Sequence, residues 1–565
     1  MKKCPQCGRE YDNTMMFCLD DGTELLYGPS STDGPQTAIL HETASPGEAA
    51  TRAQMHMTDQ TAVLPTRTGD VIERSRGFDK RLLMLPVLLA VLALGGFIGY
   101  RYFSASGGQI NSIAVLPFEN RSGNSDTDYL SDGLAESLIY RLSQLPTLKV
   151  SPTNSVLRYR GSQADVAAIA KELEVDAVMT GRLTQRGDDL SISVELTDAR
   201  TKKLIWAEQY ARKMSDLLAT QREIANAVME KLQLKLSGTE PALTKQYTND
   251  NEAYQLYLKG RFYWSKRTPE GNKNAIAQFK AASEKDPNFA LAYVGLADSY
   301  LVGIYNTRDT EKEQIAAGKA YALRALEIDP SLAEPHASLG LASTYLWEWA
   351  EAEKYLKRAI ELNPKYAPAR HWYSRRLRAE GRREEAFEQI TRAREADELS
   401  IAISNNVAEI LAEKGELKAA IAECHRGIAI SPNWVTYRTL AFSHLALGQR
   451  EEALLNARKA AEAGGAGPRV RQIEGYVQAV LGNRDEAVRI AKELEQEFAK
   501  GQADARDVAV VYAGLGEKDK VFEFLEKDFE KRSTSLVELR MEVPFVSLRS
   551  DPRFTELLRR MNWPE

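Results

Sequence analysis

Residues 333–364 read AEPHASLGLASTYLWEWAEAEKYLKRAIELNP. Leu339, Gly340, Ala352, Leu356 and Ala359 mix small side chains with apolar ones, and Pro364 closes the stretch. This pattern suits two helices packed closely: small residues let the axes approach, and proline, lacking an N–H, ends the second helix. The proline recurs. Pro330 and Pro364 are 34 residues apart, and Pro364 and Pro432 are 68 apart, with Glu398 in the slot between. The next stretch carries Gly381, Ala386, Ile390 and Ala393; the one after carries Ala408, Gly415, Ala420, Cys424 and Gly427. A fixed period of this length predicts a stacked helical array. Further out, Gly260, Tyr263, Phe279, Ala282 and Pro287 mark an earlier unit. Pro287 and Pro330 are 43 apart, which places nine extra residues around Val302–Gln314. Weaker copies follow at Gly448 and Ala453, Gly482 and Ala487, and Tyr512 and Gly516. The reading is an array of about eight units over 250–565, with Ser550–Arg560 as a C-terminal capping helix and Cys424 as a small buried hydrophobe.

This period and residue pattern resembles the tetratricopeptide repeat family. The resemblance implies an all-α superhelical solenoid whose concave groove binds a peptide or protein partner. Arg370, Trp372, Tyr373, Arg375, Arg376 and Arg378 crowd one first helix, the groove-lining one. Aromatic and arginine side chains are the usual anchors of such grooves, so an acidic or carboxylate-ended peptide is the expected ligand. The competing reading is a solvated basic face with Trp372 and Tyr373 in the core.

Residues 110–237 have a compact α/β pattern. Ser112–Phe118 is a buried-strand run, and Leu130–Leu145 is amphipathic with Leu134, Leu138, Ile139 and Leu142 on one face. After a short strand at Leu148–Val150 and a helix at Asp165–Leu173, three antiparallel strands are expected at 176–185, 190–198 and 203–210. A long helix over 214–236 closes the unit. The stretch from IAVLPFENRSGNSDTDYLSDGLAESLIYRLSQL to VDAVMTGRLTQRGDDLSISVELTDARTKKLIWAEQY resembles the TolB amino-terminal-like domain. The resemblance implies an α/β fold with no catalytic constellation. It also implies the company of tetratricopeptide repeats in bacterial membrane proteins, some class III adenylate cyclases and some transmembrane winged-helix regulators. Asp132 and Glu136, at i and i+4, are read as carboxylates on a solvated face, since no histidine or metal pattern joins them.

Upstream, residues 78–104 hold the most apolar run. Its uncharged core, Leu82–Tyr100, is 19 residues long. At about 1.5 Å per residue it spans roughly 28 Å, the thickness of a bilayer core. A single transmembrane helix is expected. Arg74, Arg76, Lys80 and Arg81 on its N-terminal side, against Arg101 alone close on the other, predict a cytoplasmic N-terminus and extracytoplasmic C-terminal domains in a bacterial inner membrane. Gly95 and Gly99 form a small-xxx-small pair that would suit a homodimer.

Residues 1–26 contain three of the four cysteines. Cys4 and Cys7 form a knuckle with Gly8 behind it, and Cys18 opens a second knuckle whose partner position is Asp21. The segment resembles a minimal zinc ribbon, with Cys4, Cys7, Cys18 and Asp21 as the ligand set for a structural zinc. Oxygen from Asp21 departs from the usual fourth thiolate or imidazole. Residues 27–77, rich in Ser, Thr, Pro and Gly, read as a disordered linker. Within it Gln36–Leu40 recurs nearly intact as Gln60–Leu64, which makes Thr37 and Thr61 candidate phosphoacceptors.

A net charge of −5 gives no sign of a nucleic-acid partner. No phosphate-binding loop, nucleophile elbow or zinc-hydrolase helix is present. The expectation is a multidomain, non-enzymatic, membrane-anchored interaction scaffold. The alternative is a dimerising transmembrane regulatory receptor without its own output enzyme.

Overall fold

A computed structural model of the chain describes residues 2–3, 10–11, 110–145, 147–161, 165–232, 245, 247–266, 268–303, 311–465 and 467–563. The expected membrane span and linker lie outside the described residues. So do Cys4, Cys7, Cys18 and Asp21, Thr37 and Thr61, and Gly95 and Gly99. Among the described residues no helix is long and apolar enough to cross a membrane, and no group of three or more His, Cys, Asp or Glu could hold a metal.

The chain divides into two units, Met1–Leu88 and Leu89–Glu565. In the first, β1 (Lys2–Lys3) pairs antiparallel with β2 (Glu10–Tyr11).

The second unit begins with a mixed sheet. Its strands are β3 (Ser112–Val115), β4 (Glu119–Asn120), β5 (Lys149–Val150), β6 (Ala177–Arg186), β7 (Asp189–Asp198) and β8 (Lys203–Lys213). The order is β5-β3-β6-β7-β8, with β4 also on β6. β3 runs parallel to β5 and β6, whereas β6, β7 and β8 form an antiparallel meander. A two-residue turn with Gly187 at φ +62° joins β6 to β7, a backbone state that favours glycine. Along β7, Leu190, Ile192, Val194 and Leu196 are buried while the residues between them are not, the period of a strand with one covered face. Helices α1 (Asp128–Ser143), α2 (Thr153–Leu157), α3 (Val166–Glu172) and α4 (Leu217–Lys231) complete the domain. Leu134, Leu138 and Leu142 of α1 join Ile224 and Val228 of α4 in the core with the sheet residues.

Eight helix pairs follow among the described residues. They are α5 (Asn251–Ser265) with α6 (Pro269–Lys285), α7 (Ala290–Val302) with α8 (Glu311–Ile328), α9 (Ala333–Tyr345) with α10 (Trp349–Leu362), and α11 (Ala367–Glu380) with α12 (Arg383–Ala396). Then come α13 (Ile401–Glu413) with α14 (Leu417–Ile430), α15 (Trp434–Ala446) with α16 (Arg450–Gly464), α17 (Pro468–Val480) with α18 (Arg484–Ala499), and α19 (Ala505–Leu515) with α20 (Lys518–Lys531). The C-terminal half is thus a helical solenoid of tetratricopeptide type. Pro287, Pro330, Pro364, Glu398 and Pro432 each fall two residues beyond the end of a second helix, so the 34-residue spacing reports one repeated exit from the pair. The small residues act as the packing argument requires. A Cβ on Gly260 would lie 2.5 Å from the Phe279 ring, and one on Gly295 would lie 2.6 Å from the same ring. Cys424 is buried beside Ala408 and Leu440, and burial pushes its thiol pKa up to about 12.

Two features tie this body together beyond neighbour-to-neighbour stacking. First, α1 is covered twice, by the sheet on one side and by α5 on the other. Gly133 lets them meet, since a Cβ there would fall 2.9 Å from Leu258 Cβ. Second, the chain past α20 does not simply cap the last pair. Two 3₁₀ turns, Thr534–Glu538 and Val543–Leu548, and α21 (Pro552–Arg560) run back across the array. Trp563 packs on Trp349 with ring centroids 4.4 Å apart, and Trp349 Nε1 donates to the Met561 carbonyl at 3.0 Å. Trp347, in the turn of the third pair, stacks on Phe529 of the eighth at 5.6 Å. One apolar core therefore contains residues from α7, α9 and α11 together with α17 to α21.

Candidate functional site

The basic cluster on α11 finds its partners within the chain. Arg370 Nε donates to the Pro364 carbonyl at 2.8 Å and Nη1 to Gln389 at 2.8 Å. Tyr373 donates its hydroxyl to Glu353 at 2.8 Å. Arg376 is 2% exposed; it reaches Glu380 at 2.7 Å, Glu353 at 3.2 Å and the Trp349 carbonyl at 3.0 Å. Arg378, also buried, donates to Asn406 at 2.6 Å and pairs with Glu409 and Glu413. Burial alone would lower its pKa, but Glu413 and Glu409 outweigh that and raise it. Trp372 is half-buried between apolar clusters of neighbouring pairs. Burial and then the charges of Arg375 and Arg378 pull the pKa of His371 down to about 3, so this imidazole is neutral at physiological pH. The helix is basic without being a solvated face.

Arg375 is the member that meets the C-terminal crossing. It pairs with Glu538 in the first 3₁₀ turn. Burial pushes the Glu538 pKa up, but Arg375, Arg438, Arg506 and Arg469 together hold it at about 2. Two residues on, Arg540 Nη1 donates to the Glu380 carbonyl at the end of α11 at 3.1 Å. Glu542 pairs with buried Arg506 of α19, and Thr534 N donates to Glu311 of α8 at 3.1 Å. Of the arginines expected to meet an external carboxylate, Arg375 is met by Glu538 of the returning segment, and Arg376 and Arg378 by glutamates of the helix pairs themselves. Nothing local in the sequence marks Glu538, because its partner is 163 positions away and the segment has no helical period.

On the sheet domain, Asp132 and Glu136 do not face solvent. Asp132 is buried and pairs with Arg160, and Glu136 pairs with Arg261 of α5. Burial lifts the Asp132 pKa to about 6 against the opposing pull of Arg160. The solvated-face reading of this pair is therefore corrected: α1 is covered on both sides, and each carboxylate is met by an arginine from another element. A cavity of about 760 Å³ lies between α1 and α4 of the sheet domain and the first four helix pairs.

The sheet domain, read in sequence as TolB amino-terminal-like over 110–237, is matched by a different description. Residues 109–227 match the family described as HilA/YgeH-like transcriptional regulator, second domain. The chain is 30% identical over 256 residues to putative adenylate cyclase 3 of Rhizobium meliloti, which covers 43% of this chain and 42% of that protein. It is 25% identical over 298 residues to the transcriptional regulator HilA of Salmonella typhimurium, 51% of each. A tetratricopeptide repeat protein from Parabacteroides merdae superposes with a TM-score of 0.32 at 16% identity, over 46% of this chain and 97% of that one. The chain thus spans about half the length of the curated relatives it matches.

Proposed function

We propose that this protein is a non-enzymatic, membrane-anchored interaction scaffold whose solenoid binds an acidic, aromatic-bearing polypeptide segment. The observation that carries this reading is the engagement of Arg375, Arg506 and Trp349 by Glu538, Glu542 and Trp563. The array already holds a peptide of this chemistry, its own. An external partner with a similar charge pattern would compete with that segment. Residues 78–104 would anchor the scaffold through one helix. The N-terminal segment would lie in the cytoplasm, where Cys4, Cys7, Cys18 and Asp21 would hold a structural zinc. The β1–β2 hairpin, which brackets Cys4 and Cys7 in sequence, supports that reading.

The test uses the full chain and a labelled peptide of residues 533–563. The peptide is expected to bind a Trp563→Ala, Glu538→Arg variant and to leave wild type unbound, because the resident segment has the advantage of effective concentration. The same variant carrying Arg375→Glu should reclose by charge exchange and lose the peptide. Failure of the opened variant to bind, with its helical circular-dichroism signal intact, would end the reading. Topology is tested separately by phosphatase fusions at Pro35 and Gly107; activity at Pro35 alone would reverse the orientation.

A regulatory receptor is the second reading. The similarity to one protein named as a cyclase and another named as a transcriptional regulator supports it. It requires self-association, for which Gly95 and Gly99 would be the contact. An isolated span that fails to associate in a membrane reporter assay would remove that support.

A further inference from the structure

The cavity between the sheet domain and the array has two chemically distinct ends. Several of its polar groups away from α4 are already matched. Asp298 accepts from Ser338 at 2.7 Å, Asp397 accepts from Ser155 at 3.1 Å, and Glu136 is paired with Arg261. Burial lifts the Glu334 pKa to about 7, which removes much of its charge. Toward α4 the balance is different. Gln221 is 1% exposed, and its Nε2 has no hydrogen-bond partner among the described residues. Arg222, next to it, has no ion-pair partner among the described residues. Arg141 of α1 lines the same end, buried, with one guanidinium nitrogen 3.5 Å from the Lys245 carbonyl. Burial pulls the pKa of Arg141 down, and Arg222 is close enough to pull it further.

Among the described residues no acceptor meets the Gln221 amide. A buried amide N–H without a partner is rare in native proteins, and here it sits beside two guanidinium groups of the same sign. The body of the cavity is aromatic. Tyr140, Tyr254, Tyr257, Trp264 and Phe289 all line it. Tyr254 is held in place by donating to Ser137 at 2.6 Å, and Tyr140 meets Tyr247 edge-to-face at 5.7 Å. Flat apolar walls with a few convergent donors at one end are the usual form of a small-molecule site.

We propose that this cavity binds a small organic anion, a carboxylate or phosphate monoester on a flat apolar body. Gln221, Arg222 and Arg141 take the anionic group, and the tyrosines stack on the body. Because the walls come from α1 and α4 on one side and from four helix pairs on the other, the ligand would be gripped by both domains. The inference goes beyond the scaffold reading and does not depend on which partner the array holds.

The experiment uses the full chain in lipid nanodiscs, titrated calorimetrically with four probes against empty nanodiscs. They are 1-naphthyl phosphate, 1-naphthoate, neutral 1-naphthol and cationic 1-naphthylmethylammonium. One or both anions should bind at least tenfold more tightly than naphthol, and the pair distinguishes phosphate from carboxylate recognition. Arg222→Gln, at a half-exposed position, should weaken the anion tenfold or more without moving the melting temperature of the unliganded protein. Gln221→Met should weaken it by a smaller factor. Equal binding of naphthol, tighter binding of the cation, indifference to both substitutions, or no binding of either anion at millimolar concentration would each overturn the proposal.

Discussion

Replacing Glu538 with glutamine tests how the C-terminal segment is held across the solenoid. The four arginines around this carboxylate take its pKa from the ordinary 4.5 to about 2. One pKa unit corresponds to about 1.4 kcal/mol, so the shift is worth roughly 3 kcal/mol at neutral pH. Glu538 is 31% exposed, and solvent screening reduces the effective figure to about 2 kcal/mol. Glutamine keeps the shape and loses the charge. The expected outcome is a rise of roughly 30-fold in the open population of residues 533–548, read as faster amide hydrogen exchange in that segment. The outer helices α14 and α16 should be unaffected. The sign with pH follows from the direction of the shift. A depressed carboxylate pKa gives stability that is complete above the unfolded value of 4.5 and is lost as pH falls toward 2. Wild type should therefore show segment release on acidification through that window, and Glu538→Gln should show a flatter response there. Protection within threefold of wild type at neutral pH would refute the claim that the arginine cluster holds the segment.

Three further outcomes follow from the packing and from the N-terminal cysteines. Arg376→Ala leaves buried Glu380 with Arg382 alone, at 3.3 Å, and should cost about 3 kcal/mol by chemical denaturation, whereas Arg376→Met with Glu380→Leu should recover much of the loss. Gly295→Ala drives a Cβ to 2.6 Å from the Phe279 ring and should cost about 1–3 kcal/mol; combined with Phe279→Leu, the two changes should destabilise by less than their sum. Cobalt added to the reduced full chain should give thiolate-to-metal absorption that is lost in Cys18→Ser; an unchanged spectrum would remove the metal from the description of residues 1–26.

The parts of the fold visible in sequence are those governed by local chemistry. Proline two residues past four of the second helices, and Gly260 with Phe279 in the first pair, declare the array because each repeat solves the same packing problem within about one period. Alternation along Leu190–Leu196 and the glycine at 187 declare the meander for the same reason. The fate of charged side chains was not visible. Arg376 finds Glu380 one turn away, but Arg378 finds Glu409 31 positions away and Arg261 finds Glu136 125 positions away. A charge run looks solvated until its long-range partners are placed. The same blindness applies to the aromatic cavity, whose walls come from segments that share no sequence neighbourhood.

The contact between Trp349 and Trp563 has a consequence for the chain's freedom to change. Open stacks of this kind behave as one-dimensional lattices that fray from either end, and they tolerate gain or loss of a unit because each unit touches only its neighbours. Here a return segment must span from the eighth pair to the third with fixed length, so the stack is closed into a loop. Deleting or duplicating a pair would leave the two tryptophans out of register. The number of units is thereby pinned, and the third to eighth pairs are expected to melt as one cooperative block.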